Sequence, residues 1–233
     1  LLLRDLSDEL AAGLVALRLA GGHELSVSVL RAYLLMMARL PRREAVEPAL
    51  SFLAEDNLRG EAAAALAAAL DRGLLSRKQA SRAAQQVRRD LDNQRLPPPQ
   101  VVTLLGKPNV GNDEDWDRIA RWVDSPEGAI KQAAAQAWAE SDRSLKLLAK
   151  RVTDPIIRPI VIVAARSRGD DPWTLRALAE HRPEQAQAAE AWQRALVAMA
   201  QRVPPSSVLD TALELEHQGQ PAALLDQLLS AAI

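Results

Sequence analysis

Apolar residues recur every three or four positions along most of this chain, which is the spacing of one face of an α-helix. Near the start, Leu10, Leu14 and Leu17 follow this spacing, and a glycine pair at 21–22 ends it. The same spacing predicts a series of helices separated by short turns rich in proline, glycine and aspartate. The predicted helices span residues 5–20, 25–40, 42–54, 58–71, 76–95, 113–123, 126–140, 142–152, 155–168, 172–181, 183–202, 205–217 and 221–232.

The helix predicted over 76–95 is the most polar one, and it leads into the least regular part of the chain. Ser76 is placed to cap its start, and three consecutive prolines at 97–99 follow its end. Further prolines and glycines come after them, so we expect an irregular joint over 96–112. We expect the apolar stretch 100–105 inside this joint to be a half-formed helix that packs on its neighbours, rather than a lone strand.

Several turns pair an aspartate with a following proline. Proline is tolerated in the first turn of a helix, and an aspartate just before it can cap the free amides. We therefore expect helices to start near Asp124, Asp154 and Asp171. Helices of this length that are joined by short loops pack antiparallel to one another, either as a closed bundle or as an open solenoid.

One short pattern occurs three times: an aliphatic residue, a base, two spacers and a small apolar residue that opens an alanine-rich run. Alignment of Asp124 with Asp154 gives a period of roughly 27–30 residues, and residues 134–138 recur at 188–192, about two periods later. Such recurrence favours the solenoid, because each repeat shares its core with its neighbours. The three copies are Leu58-Arg59…Ala62, Ile130-Lys131…Ala134 and Ile157-Arg158…Val161.

The composition also predicts an all-α fold with no β-sheet. About a third of the 233 residues are alanine or leucine, both strong helix formers, and only 3% are aromatic. The absence of cysteine excludes disulfides, thiolate nucleophiles and cysteine-ligated zinc. A formal net charge of −1 argues against a protein whose main task is to coat nucleic acid or an anionic membrane. No apolar run reaches the length of about 18 residues that a transmembrane helix requires.

The repeated pattern and the turn aspartates resemble HEAT and related armadillo-like helical repeats. Residues 45–66 carry the resemblance best, 124–138 and 154–165 also carry it, and 76–112 and 183–232 fit poorly. The resemblance implies a right-handed α-solenoid of antiparallel helix pairs, and it implies no particular activity. It also implies that the turn aspartates and the bases are structural and form a ladder of hydrogen bonds between repeats. The residues concerned are Asp56, Arg59, Asp154 and Arg158.

We expect the chain to form a single α-solenoid over residues 1–233. Because it begins with a leucine rather than a methionine, we also expect it to be a fragment of a longer protein. The expected subdivision is into N-terminal repeats over 1–95, the joint over 96–112 and C-terminal repeats over 113–233.

The basic helix at 76–95 is a candidate partner-binding surface. On a helix, Lys78, Arg82 and Arg89 fall near one line, opposite the apolar positions. This line could dock an acidic partner, an anionic lipid or a nucleic-acid backbone, and the alternative is a solvated face with no binding role. The basic residues of this helix are Arg77, Lys78, Arg82, Arg88, Arg89 and Arg95.

The tryptophans fall into two groups. Trp138 and Trp192 occupy equivalent places in their repeats, so we expect both to pack between helices. Trp116, Trp122 and Trp173 lie near helix starts or turns, and we expect them to be partly exposed. These three are the candidate aromatic anchors for a partner.

Residues 106–111, Gly-Lys-Pro-Asn-Val-Gly, look like the opening of the phosphate loop of one group of small GTPases. That loop requires a lysine and then a serine or threonine directly after its last glycine, and this chain has Asn112 and Asp113 there. We therefore interpret the segment as an inter-helix loop. The histidines are scattered, and we expect no metal and no other cofactor.

These observations together favour a non-catalytic protein–protein interaction scaffold or adaptor, whose partner is another protein. One alternative is a nucleic-acid-binding protein or an enzyme similar to alkyl-purine DNA glycosylases, because tryptophan is enriched and arginine outnumbers lysine. A further alternative is a solenoid scaffold of the membrane-coat or trafficking type. We expect a soluble protein without a transmembrane segment, and the cytoplasm is the favoured compartment.

Overall fold

The structure, a computed structural model, describes residues 2–21, 25–91 and 96–232, and the side chains of residues 2–7 lie outside this description. These residues form fourteen α-helices and one 3₁₀ turn, and they contain no β-strand. The all-α prediction is therefore confirmed for the described part of the chain. The helices are α1 (Leu2–Ala20), α2 (Val27–Arg39), α3 (Val46–Phe52), α4 (Arg59–Asp71), α5 (Arg77–Leu91), α6 (Pro99–Leu105), α7 (Asp113–Trp122), α8 (Gly128–Glu140), α9 (Lys146–Ala149), α10 (Ile157–Arg168), α11 (Pro172–Ala179), α12 (Ala186–Ala200), α13 (Pro205–His217) and α14 (Ala222–Ala231), and the 3₁₀ turn is Arg43–Ala45.

Most helices begin and end within a few residues of their predicted bounds, and the clearest exception is the helix predicted over 142–152. Only Lys146–Ala149 is helical there. The hydroxyl of Ser141 accepts a hydrogen bond from the amide of Arg143, and the hydroxyl of Ser144 accepts one from the amide two residues further on. Local bonds of this kind compete with the helical pattern, which explains why periodicity alone overestimates this helix.

Contacts within the chain divide it into two compact units, Leu1–Trp122 and Val123–Ile233. The segment 96–112 lies inside the first unit, where its apolar part forms α6. This short helix packs against α4, and both Val102 and Leu104 on it are fully buried. The apolar stretch is thus an integral part of the core of its unit.

Alternate helices pack on one another in the first unit. α2 packs on α4 and α4 packs on α6, while α1 contacts α2 and α3 contacts α4 and α5. The alanine-rich α4 has six buried residues and contacts three of these helices. Because its side chains are short, larger side chains such as Leu34 and Met37 of α2 fill the space around it, and both are buried.

The second unit shows the same alternation more regularly. α8, α10, α12 and α14 pack in succession and form what we call the even row. α9, α11 and α13 also pack in succession and form the odd row, and neighbouring members of the two rows contact each other. Ile157, Leu178, Trp192 and Leu196 are among the buried side chains of this unit. The arrangement is compatible with a helical repeat fold.

The repeated sequence pattern occupies matching places at the starts of α4, α8 and α10. Its aliphatic and small residues are buried in all three copies, with at most 1% of their surface exposed. Arg59 and Arg158 both donate from Nε to the carbonyl six residues earlier, at 3.0 and 2.9 Å. Arg59 also pairs with Asp56 at 2.7 Å, and Lys131 reaches the carboxylate of Asp154 at 2.7 Å. The bases of the pattern therefore hold the turns between helices.

Candidate functional site

The basic helix α5 begins at a well-formed cap. The backbone amide of Gln79 donates to the hydroxyl of Ser76 at 3.3 Å, and the amide of Ser76 donates to the Gln79 side chain at 2.9 Å. This reciprocal pair is a capping box, and it fixes the point at which the helix starts. The helix is described as far as Leu91, and Arg95 lies outside the described residues.

One basic residue of α5, Arg88, faces inward. Its guanidinium lies 2.5 Å from the carboxylate of Asp115, which is fully buried on α7, and it donates to the carbonyl of Val110 at 3.1 Å. The same carboxylate accepts the backbone amide of Asn112 at 3.0 Å. Arg88 thus links α5 to α7 inside the first unit, so its guanidinium is already engaged before any partner binds.

The remaining basic residues of the helix face outward. Arg77, Lys78 and Arg89 are exposed, and they make no ion pair with any described residue. Arg82 is 62% exposed and pairs with Glu47 at 3.0 Å. We call these four residues the α5 stripe.

The candidate aromatic anchors differ in exposure. Trp116 and Trp122 are half-buried on α7 in the first unit, while Trp173 is 41% exposed at the start of α11 in the second. α11 packs on α13, where Leu209 and Leu213 are also exposed. All three tryptophans are therefore partly exposed, as expected, and their role as anchors stays a prediction.

Trp138 and Trp192 differ in burial, although the sequences around them are similar. Trp192 is 2% exposed and donates from Nε1 to the carbonyl of Leu178 at 2.6 Å. Trp138 is half-buried and donates to the carbonyl of Ser144 at 2.9 Å, with the guanidinium of Arg143 5.7 Å from its ring centre. Only Trp192 is enclosed by the core.

The loop at 106–111 is packed against its own unit. Lys107 pairs with Asp71 at 3.0 Å, and Asn109 adopts a left-handed backbone with φ of 66°. A Cβ atom at Gly111 would lie 2.3 Å from the carbonyl oxygen of Leu105, so only glycine fits there. The loop follows a helix and not a strand, and its lysine is bound to a carboxylate, in keeping with an inter-helix loop.

A groove that the sequence did not indicate lies in the second unit, between α10, α12 and the turn that precedes α12. It encloses about 640 Å³. Its apolar lining comes from Pro155, Pro159, Ile162, Val163, Ala188 and Ala191. Val163 is 70% exposed, although most of the aliphatic residues of α10 are buried. We call this cavity the even-row groove.

Polar and charged side chains surround the apolar lining of the even-row groove, and several are already fixed in place. Arg158 is held by the carbonyl of Val152, and Arg182 donates to the side chain of Gln220 at 2.7 Å. The Nδ1 atom of His181 lies 3.1 Å from the carbonyl of Ala177. Apolar lining with a few ordered polar groups at its edge is typical of a surface that binds a ligand or a peptide.

Periodicity could not have located this groove, because it predicts which residues are buried and not where two helices separate. The one available signal was Val163, an aliphatic residue that falls outside the apolar line of α10 marked by Ile157, Val161 and Ala164.

Two ion pairs join turns of the second unit. Arg151 donates to the carboxylate of Asp124 at 2.5 and 2.6 Å, and Lys131 donates to Asp154, which also accepts the amide of Ile156 at 2.8 Å. The hydrogen bond from Arg151 lowers the pKa of Asp124, and the bond from Lys131 lowers the pKa of Asp154, in both cases against desolvation. Both carboxylates are therefore ionised at neutral pH and occupied by structural partners.

The last residue of α10, Arg168, binds the end of α8. Its guanidinium donates to the carbonyls of Ala139 at 2.8 Å, Arg143 at 2.8 Å and Trp138 at 3.1 Å. These carbonyls belong to the last turn of α8 and to the loop after it, where no intrahelical donor remains. Desolvation by burial lowers the pKa of Arg168 from its ordinary value.

Arg202, just after α12, makes matching bonds at the end of α10. It donates to the carbonyls of Arg166 at 2.7 Å, Gly169 at 3.2 Å and Ala165 at 3.3 Å. Each of these arginines thus fixes the end of the preceding helix of the even row. Neither contact is predictable from the sequence, because a base at a helix end is common and its partners here are backbone atoms.

Within the described residues, no group of three or more histidine and carboxylate side chains is placed to hold a metal ion. None of the helices in that part of the chain combines the length and the apolar character needed to cross a membrane. No protein-family model, no curated protein and no solved structure matches the chain.

Proposed function

We propose that this chain is a non-catalytic scaffold that binds another protein, and that each of its units is a run of right-handed α-solenoid of the HEAT or armadillo type. The alternation of helices in both units supports the solenoid. The matching contacts of Arg59 and Arg158 support a repeat, because the same base serves the same purpose at two places in the chain.

The observation that carries the proposed function is the even-row groove. The lining of this groove combines exposed aliphatic surface with ordered charged groups. The lining residues come from two helices, α10 and α12, and from the turn before α12. A peptide segment could bury its apolar side chains against the exposed Val163 and Pro159 while its backbone meets the polar edge. Grooves between the helices of repeat proteins provide extended binding surfaces of this kind.

A non-catalytic role is supported by what the ionised groups already do. The carboxylates with lowered pKa, Asp124 and Asp154, are bound to Arg151 and Lys131. Arg168 and Arg202 are committed to backbone carbonyls. Structural contacts therefore account for the shifted pKa values of Asp124, Asp154 and Arg168, and no catalytic role is needed to explain them.

A peptide-display selection tests this proposal. A random peptide library is selected on the wild-type chain and on Val163→Arg, which places a charge in the groove. Leu209→Arg is the matched control, because Leu209 is also an exposed aliphatic residue of the second unit and lies on α13. We expect enriched peptides that lose binding to Val163→Arg and keep it with Leu209→Arg.

Two results would contradict the proposal. One is the absence of enriched peptides, and the other is a set of peptides whose binding is insensitive to Val163→Arg. Circular dichroism of both variants checks that the helices persist, which we expect because each replaced side chain is largely exposed.

A further inference from the structure

We propose that the α5 stripe, consisting of Arg77, Lys78, Arg82 and Arg89, binds an acidic segment of a partner protein. This inference rests on the proposed scaffold function and adds a second contact surface, in the first unit. Its basis is a set of exposed cations on one helix, most of them without an anionic partner among the described residues.

The stripe has a definite length. At a rise of about 1.5 Å per residue, the distance from Lys78 to Arg89 along the helix is about 16 Å. An extended chain of about five residues covers that length. Lys78, Arg82 and Arg89 lie four and then seven positions apart, so they share one side of the helix. A short run of glutamates or aspartates therefore meets several cations at once.

The helix that carries the stripe is fixed in its unit. The capping box of Ser76 and Gln79 sets its start, and Arg88 ties its inner side to the buried Asp115. Its apolar residues Ala80 and Val87 are buried as well. The cations are therefore presented on a rigid element, which lowers the entropy lost when a partner orders them.

One anion already competes for the stripe. Glu47 accepts bonds from Arg82 and from the side chain of Gln79, both on the exposed surface. An exposed ion pair of this kind is weak, so an incoming carboxylate can replace Glu47 at small cost. Glu47 also shows that a carboxylate can reach Arg82, one member of the stripe.

The observations favour an acidic protein segment over nucleic acid. No aromatic side chain lies on α5 to stack on bases, and nucleic-acid binding by surface charge alone usually requires a larger excess of cations than a chain with a net charge of −1 provides. Association through exposed charges weakens as salt rises, because the screening length falls to about 10 Å at 0.1 M.

Fluorescence anisotropy with a labelled glutamate-rich peptide of about eight residues tests the inference. We expect the wild-type chain to bind the peptide at low salt and to release it as salt is added. The double variant Lys78→Glu/Arg89→Glu should weaken binding about tenfold. The double variant Arg18→Glu/Lys150→Glu makes the same change in formal charge at exposed positions that are not part of α5, and it should leave binding within about twofold.

Three results overturn the inference: no binding of the peptide by the wild-type chain at low salt, equal weakening by both double variants, or tighter stripe-dependent binding of a single-stranded oligonucleotide or of anionic lipid vesicles. If a charge-reversal variant does not fold, Lys78→Gln/Arg89→Gln replaces it, with an expected weakening of about threefold. Val163→Arg should bind the acidic peptide normally. If the acidic peptide does not bind while the peptide-display selection on the even-row groove succeeds, this inference is wrong and the proposed scaffold function is unaffected.

Discussion

Arg202 repeats, one helix further along the even row, the contact that Arg168 makes. Each guanidinium lies at the end of its own helix and donates to three carbonyls at the end of the helix before it. These carbonyls lie where a helix runs out of its own donors, and although those of Trp138 and Ala165 also accept the amides of Ser141 and Gly169, each arginine adds a charged donor to three of them at once. The second unit is thus joined from helix to helix by a repeated charged hydrogen bond.

Replacement of Arg168 should destabilise the chain markedly. Arg168→Ala removes three hydrogen bonds from a charged donor to part-buried carbonyls, so we expect a loss of about 2–3 kcal/mol in the free energy of unfolding. Arg168→Lys should recover little, because an ammonium cannot reproduce the planar fork. Urea denaturation measures both. The exposed neighbour Arg166 is the control, and Arg166→Ala should change stability by less than about 0.5 kcal/mol. Equal effects at the two positions would contradict the assigned role.

The inward and outward arginines of α5 should differ sharply. Arg88→Ala leaves the buried carboxylate of Asp115 without its closest cation, and we expect a loss of about 3 kcal/mol. Arg89→Ala changes only the exposed stripe and should cost less than about 0.5 kcal/mol. The double variant Arg88→Ala/Asp115→Ala should lose less than the sum of its single variants, because the pair is removed together. Thermal unfolding of the wild type, the two single variants of the pair and the double variant measures this coupling. Additive losses of stability would argue against the pairing of Arg88 with Asp115.

Acid should weaken the second unit through Asp154. Lys131 lowers the pKa of this carboxyl below its ordinary value of about 3.9, so the folded state holds its proton less tightly than the unfolded state does. The resulting stabilisation is present above about pH 4 and is lost as the pH falls through the lower, folded-state pKa.

Two variants separate the charge of Asp154 from its capping role. Asp154→Asn keeps an acceptor for the amide of Ile156 and should cost about 0.5 kcal/mol at pH 7, with a smaller acid dependence. Asp154→Ala removes the acceptor too and should cost about 1–2 kcal/mol. Denaturation curves between pH 3 and pH 7, about one pH unit apart, test this. An unchanged acid dependence in Asp154→Asn would rule out the ion pair as its source.

Two glycines should respond in opposite directions to alanine. A Cβ at Gly169 would lie 2.7 Å from the carbonyl of Ala165 and 2.9 Å from Met199, so Gly169→Ala should destabilise by about 2 kcal/mol. Gly13, inside α1, has no atom within 4 Å of the added Cβ, so Gly13→Ala should stabilise by up to about 1 kcal/mol. Melting temperatures show the signs directly, and a stabilising Gly169→Ala would mean that α10 and α12 are less tightly packed.

Sequence patterning could predict the helices because burial repeats with the helical period. Ile157 and Val161 follow that period and are buried as expected. It failed over 142–152, where serine hydroxyls take over backbone bonds. It placed Arg89 and not Arg88 on the outward line of α5, but it could not show that Arg88 pairs with the buried Asp115, because that contact depends on how α5 packs on α7. The even-row groove depends on the separation of two helices, a quantity that no single helix encodes.

The contacts of Arg168 and Arg202 place few demands on the sequences of the helices that they join. Their acceptors are backbone carbonyls, which every amino acid supplies. A joint of that kind tolerates almost any side chain on the helix it holds, as long as that helix ends in the right place. Successive helices of the even row can then differ in sequence while the fit between them is kept.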